Sequence, residues 1–134
     1  MKKEYEAKLA NLEEVLKFVG DQLDSVGAPP KIGVVMGVAV EELFVNIAHY
    51  AYGADDVGGP SWIDVDVTNT SISVKFIDEG TPFDPVAKRD PDITLSAEER
   101  EIGGLGILMV KKSMDEFFYE YKDGKNVTTI IKKW

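Results

Sequence analysis

Glu42 and Asn46 lie four positions apart within residues 31–52, KIGVVMGVAVEELFVNIAHYAY. On a helix that spacing puts both side chains on one face. A carboxylate and an amide on an otherwise apolar helix are costly to bury unless something pairs with them. The amide oxygen of Asn46 suits magnesium, which prefers oxygen ligands. Glu42 could then orient or deprotonate a hydroxyl nucleophile. The same spacing also suits a solvated edge at Glu41-Glu42 with a satisfied core amide at Asn46.

Two further groups could take part. Asp78-Glu79-Gly80 follows an alternating apolar run that ends at Ile77. An aspartate at a strand end can accept a hydrogen bond from the exocyclic amine of adenine, and glycine permits close approach to the backbone. A plain turn has the same composition. Gly103-Gly104-Leu105-Gly106 opens a helical run. Free N–H groups and the helix dipole make such a start an anion site. No Gly-Lys-Ser/Thr follows, so this is not a Walker A loop. The glycine spacing also differs from the dinucleotide fingerprint. Arg100, three residues before Gly103, could reach a phosphate.

The elements that must carry these groups can be read from periodicity. Residues 3–26 are expected to form an amphipathic helix on Leu9, Leu12, Val15 or Leu16, Val19 and Leu23, ended by Gly27 and Pro29-Pro30. Residues 31–52 read as a second helix, apolar almost all round and therefore buried. Residues 62–67 and 71–77 alternate as two strands joined at Thr68-Asn69-Thr70. Residues 78–102 lack sustained periodicity; a loop of that length inside a compact domain is expected to be functional, with about 84–106 closing as a lid over a ligand. Residues 104–115 are expected to be a helix, and 117–121 and 127–133 a strand pair hinged at Asp123-Gly124. This order predicts an α+β fold, a two-layer sandwich with one mixed or antiparallel sheet and the helices on one face. His49 reads as a core or rim residue, Trp62, Phe76 and Phe83 as core rather than as stackers on a cofactor, and residues 96–101 as a short solvated helix.

Bulk properties narrow the functions. The 134 residues suit one domain, 1–134. There is no cysteine, and His49 is the single histidine, which removes thiolate chemistry and a His-cluster zinc site. A net charge of −9 disfavours nucleic acid and anionic lipid as partners. It does not disfavour a magnesium-neutralised triphosphate held by backbone N–H groups. The first residues lack the apolar run of a signal peptide, and no segment is expected to approach the ~20 apolar residues of a membrane span. A cytoplasmic protein is expected.

Taken in order, E-x-x-x-N on a helix, D-x-G at a strand end, a long variable segment, G-x-G opening a helix and a closing strand pair resemble the Bergerat-type, histidine-kinase-like ATPases. The stretches VEELFVNIAHYAYG (40–53), FIDEGTPFDP (76–85) and EREIGGLGILMVKKSMDEFFYEYKDGKNV (99–127) look like those of the anti-sigma-factor serine/threonine kinases. The resemblance spans nearly the whole chain. It implies ATP and Mg²⁺ as cofactors, Glu42 as general base and Asn46 as magnesium ligand. It places Asp78 on the adenine amine, Gly80 beside the ring, and Gly103, Gly104 and Gly106 at the phosphate-binding end of the lid; Leu105 within that run and Arg100 before it complete the expected nucleotide-binding set. It implies phosphorylation of a small anti-anti-sigma antagonist protein, sequestration of a sigma factor, and a homodimer. The alternative is a nucleotide-binding interaction module without catalysis; an ATP hydrolase with a mechanical lid is a third reading. Departures from the family pattern are Pro82 in place of a second glycine after Asp78, Tyr50 where many members have histidine, and Lys125-Asn126 near the last turn where threonine is usual. Thr129 is the substitute candidate there.

Overall fold

The computed structural model describes residues 1–54, 56–87 and 104–134. The chain runs through β1 (Lys2–Glu6), a short 3-10 turn (Leu9–Asn11), α1 (Leu12–Ser25), α2 (Pro30–Tyr50), β2 (Pro60–Val67), β3 (Ser71–Asp78), α3 (Gly104–Ser113), β4 (Glu116–Lys122) and β5 (Lys125–Lys133). The strands form one wholly antiparallel sheet in the order β1-β2-β3-β5-β4. In the helical layer α2 packs against both α1 and α3.

Strand parity fixes which residues meet the helices. Ile63 and Val65 of β2, Ile72, Val74 and Phe76 of β3, and Ile130 of β5 are all fully or almost fully buried. They share a core with Val15, Phe18 and Val19 of α1 and Met36, Val40 and Phe44 of α2. Because successive side chains alternate across a strand, Asp78, Asn126 and Thr128 fall on this same helix-facing side. Two turns hold the register. Thr68 spans the β2–β3 turn through its N–H to Ser71 O at 2.9 Å and its Oγ1, which accepts from Thr70 N at 3.2 Å. Asp123 (φ 54°) and Gly124 (φ 75°) make the two-residue β4–β5 turn, whose twin positive φ values match the strand twist.

Two sequence expectations are corrected. The helix expected from residue 3 begins at Leu12, because residues 2–6 pair with β2 instead. Tyr5 is the apolar anchor of that strand, its ring centroid 6.4 Å from Phe18. Second, α2 has 21 residues and a mean hydropathy of 1.5, so by length and composition it is apolar enough to cross a membrane. Here its apolar face forms the middle of the core, with Met36, Ala39, Val40, Leu43, Phe44 and Ala48 buried. Pro30 starts it, supplying a fixed helical φ where no N–H partner is needed.

Candidate functional site

A cleft of about 180 Å³ opens between the C-terminal half of α2, the end of β3, the start of β5 and the segment 81–85. Phe76, Leu43 and Ile47 give it an apolar floor; Asn46, Asp78, Asn126 and Thr128 are its polar members. Tyr50 and Phe83 stand at its mouth, 58% and 49% exposed. The volume is below the roughly 300 Å³ of a pocket for a drug-sized ligand, so it suits one ring system rather than a whole nucleotide.

Asp78 is the acid of the cleft, only 5% exposed. Its Oδ1 accepts from Gly80 N and from Asn126 Nδ2, both at 2.9 Å. Among the described residues no donor reaches Oδ2, which is left to accept from a ligand. Burial pushes the carboxyl above its usual range, and the Asn126 and Gly80 hydrogen bonds pull it partly back. A buried acceptor with one lone-pair edge open can pair with an N–H donor.

Asn126, noted from the sequence only as a departure from the family pattern near the last turn, is the hub of this wall. It sits directly opposite Asp78 in the β3–β5 register and is 4% exposed. Its Nδ2 also faces Gly80 O at 3.2 Å and Thr81 O at 3.1 Å. Its Oδ1 accepts from Phe83 N at 3.2 Å and from the Tyr119 hydroxyl. Every polar atom of the side chain is thus committed to protein, so Asn126 fastens residues 80–83 to β5 rather than reading a ligand. Thr128 pairs in register with Phe76 and lines the cleft. Thr129, the expected substitute, points to the opposite face between Lys75 and Phe118.

Glu42 and Asn46 meet as their spacing predicts: Asn46 Nδ2 donates to Glu42 Oε1 at 3.3 Å. With its nitrogen so used, the Asn46 oxygen is the atom available to a cation. Magnesium keeps most of its shell as water and phosphate oxygens and needs only one or two protein ligands, so this donor set fits it. No group of three or more His, Cys, Asp or Glu that could hold a metal occurs among the described residues. Glu42 does not line the ring-sized cleft; it lies one helical turn further toward the start of α2, against Gly106 in the first turn of α3. From Asn46 in the cleft wall, Glu42 and then the first turn of α3 therefore follow along α2.

Gly80 has a packing role beside the one expected. A β-carbon there would fall on the backbone carbonyl of Ala51, well inside the 3.0 Å that real β-carbons keep. Thr81 N then donates to Ala51 O at 2.9 Å. The close approach that glycine permits is between the exit of β3 and the end of α2. Phe76 is core as expected, whereas Phe83 is half exposed and Trp62 lies on the other sheet face under Lys125 Nζ, 4.9 Å from its ring centroid. His49 is half-buried, its ring centroid 5.8 Å from that of Tyr50. Arg100, Gly103 and residues 88–102, which carry most of the expected lid, lie outside the described residues. Gly104 and Leu105 open α3.

A single antiparallel sheet backed by helices in this order is the fold of an ATPase domain of the histidine kinase type. The histidine kinase-like ATPase domain family matches residues 5–132, and the chain belongs to it. Among curated proteins it is similar to the serine-protein kinase RsbW of Listeria monocytogenes serotype 4a, with 27% identity over 94 residues, 67% of this chain and 59% of that protein. It is also similar to the serine/threonine-protein kinase BtrW of Bordetella bronchiseptica, with 24% identity over 102 residues, 75% of this chain and 70% of that protein. The chain spans about 59% of the length of the RsbW relatives it matches.

Proposed function

We propose that this protein binds ATP with Mg²⁺ along α2 and transfers the terminal phosphoryl group to a serine or threonine of a small partner protein, as an anti-sigma kinase in a partner-switching circuit. The observation that carries the reading is the line of groups from Asp78 through Asn46 to Glu42, ending at the N-terminus of α3. Asp78 Oδ2 accepts the base amine. Thr128 and Phe76 bound the ring. The Asn46 oxygen helps hold the magnesium, which would neutralise charge on the phosphates. Amides of the α3 first turn face the phosphate end. Glu42 takes the proton from the incoming hydroxyl. The names of the relatives, serine- and serine/threonine-protein kinases, support the same chemistry.

Incubation with labelled ATP, Mg²⁺ and the product of an adjacent antagonist gene tests this. Glu42→Gln is expected to retain nucleotide affinity within about threefold while transfer falls at least about 100-fold, the usual scale for losing a general base. Transfer undiminished in that variant removes Glu42 from the chemistry. The exposed Tyr50 and Phe83 at the cleft mouth favour, as second reading, a module that only captures a regulator. Absence of any heat or thermal shift with millimolar Mg-ATP would decide for it.

A further inference from the structure

A β-carbon added at Gly106 would land on the Glu42 carboxylate, inside 3.0 Å of Cδ, Oε1 and Oε2 alike. No other atoms than these three come nearer to that position. The carboxylate therefore lies flat against the bare α-carbon of the first turn of α3. On its other side Asn46 Nδ2 donates to Oε1 at 3.3 Å. Glu42 is half-buried and is held between two helices that already touch.

Glycine in a helix costs stability relative to alanine, so position 106 gives up helix propensity. Other helical glycines contrast with it: a β-carbon at Gly20, Gly33 or Gly37 meets nothing within 4 Å. Phosphate approach is the reason expected from sequence for glycine at 106. The structure supplies a second and separate one.

We propose that Gly106 is a positioning residue for Glu42: its missing side chain is the seat in which the carboxylate lies, so α3 aims the group that receives the proton. This rests on the function proposed above. The seat ties the two helices at one point, so a displacement of the α3 first turn moves or releases the carboxylate. The atom it collides with is the far end of a flexible side chain, so Gly106→Ala is expected to fold, with Glu42 turned out of place.

The first test reads geometry without activity. In ¹⁵N-correlated NMR spectra, the Asn46 side-chain amide signals, assigned by their loss in Asn46→Asp, are expected to move in Gly106→Ala toward their positions in Glu42→Ala. Gly37→Ala is the control and is expected to leave them in place. Signals unmoved in Gly106→Ala overturn the proposal. The second test is size compensation in phosphotransfer. Gly106→Ala is expected to lose at least tenfold in rate, and Glu42→Asp, shorter by one methylene, to recover severalfold in the Gly106→Ala background while lowering the rate in the parent. Additive losses in the double variant overturn the proposal and leave phosphate approach as the sole role of this glycine. If the parent protein transfers and hydrolyses nothing, the kinase reading fails by itself, and the NMR comparison still decides whether Gly106 seats Glu42.

Discussion

Replacing Asn126 with alanine removes the amide that joins Asp78, Gly80, Thr81, Phe83 and Tyr119. Its nitrogen has two hydrogens for three acceptors, so two of those bonds at most have full strength at once. Two more bonds end on its oxygen. At about 1 kcal/mol net per hydrogen bond, and up to about 3 for a buried group left unsatisfied, the loss comes to about 3–5 kcal/mol. Asp78 and Gly80 are the groups that stay buried and lose a partner. Against a typical domain stability of about 5–15 kcal/mol this is a large fraction. Urea unfolding followed by circular dichroism measures it, and an unchanged slope with a lower midpoint attributes the loss to the folded state. Asn126→Asp adds a sharper test, because it sets a second carboxylate against Asp78. Like charges raise the folded-state pKa of the pair, so stability should be lost as pH rises and partly return as pH falls. An alanine variant that costs less than about 1 kcal/mol, or an aspartate variant insensitive to pH, refutes the hub role.

Three other outcomes are expected. Burial raises the Asp78 carboxyl, so its charge opposes folding: that stability is present below the unfolded value, near 3.8, and is lost as pH rises through the folded value. Asp78→Asn should therefore be more stable than the parent at neutral pH, with a gap that closes in acid, while ATP affinity measured by calorimetry falls at least about tenfold, the worth of one hydrogen bond to a charged group; a variant less stable at neutral pH contradicts the sign. Thr128→Val should weaken nucleotide binding by about three- to tenfold, the scale of a single neutral hydrogen bond, and Thr129→Val should not; equal effects would mean the strand parity is misassigned. Gly80→Ala forces its β-carbon onto the Ala51 carbonyl and should cost more than about 2 kcal/mol in thermal or urea melts, since backbone on both sides must move.

The regular periodicities were legible in the sequence, although α2, expected to be buried all round, leaves Val34 and Val38 69% and 45% exposed on its outer side. The apolar run of α2 and the alternation of β2 and β3 are found almost where periodicity puts them. So are Glu42 and Asn46, because a helix turns a four-residue spacing directly into a contact. What was not legible depends on pairing between distant segments. Residues 2–6 hold one apolar anchor, Tyr5, and a run of charges that a helix could equally accept; only pairing with β2 makes them a strand. Asn126 reads as a turn residue, and its role exists because β5 sets it across from a partner 48 positions earlier. Thr128 and Thr129 could not be told apart by pattern, since Val127, Thr129 and Ile131 alternate as well as Thr128 and Ile130 do. The full burial of Ile130 against the core resolves the parity. The family match confirms the fold and the kind of domain.

The outer strands have a consequence for how this protein meets other chains. Among the described residues the sheet ends in β1 on one side and β4 on the other, each with a ladder edge that no other strand pairs. Such edges invite another chain to add itself as a further strand. Here β1 is only five residues long and reads KKEYE, and β4 begins with Glu116, ends with Lys122 and exposes Glu120 between them. A strand approaching either side must bring its backbone past solvated charge. The guard is partial on β4, where Phe118 and Tyr121 are 46% and 50% exposed, so mutations that neutralise these few lysines and glutamates are expected to show themselves first as lost solubility, with the native fold otherwise intact.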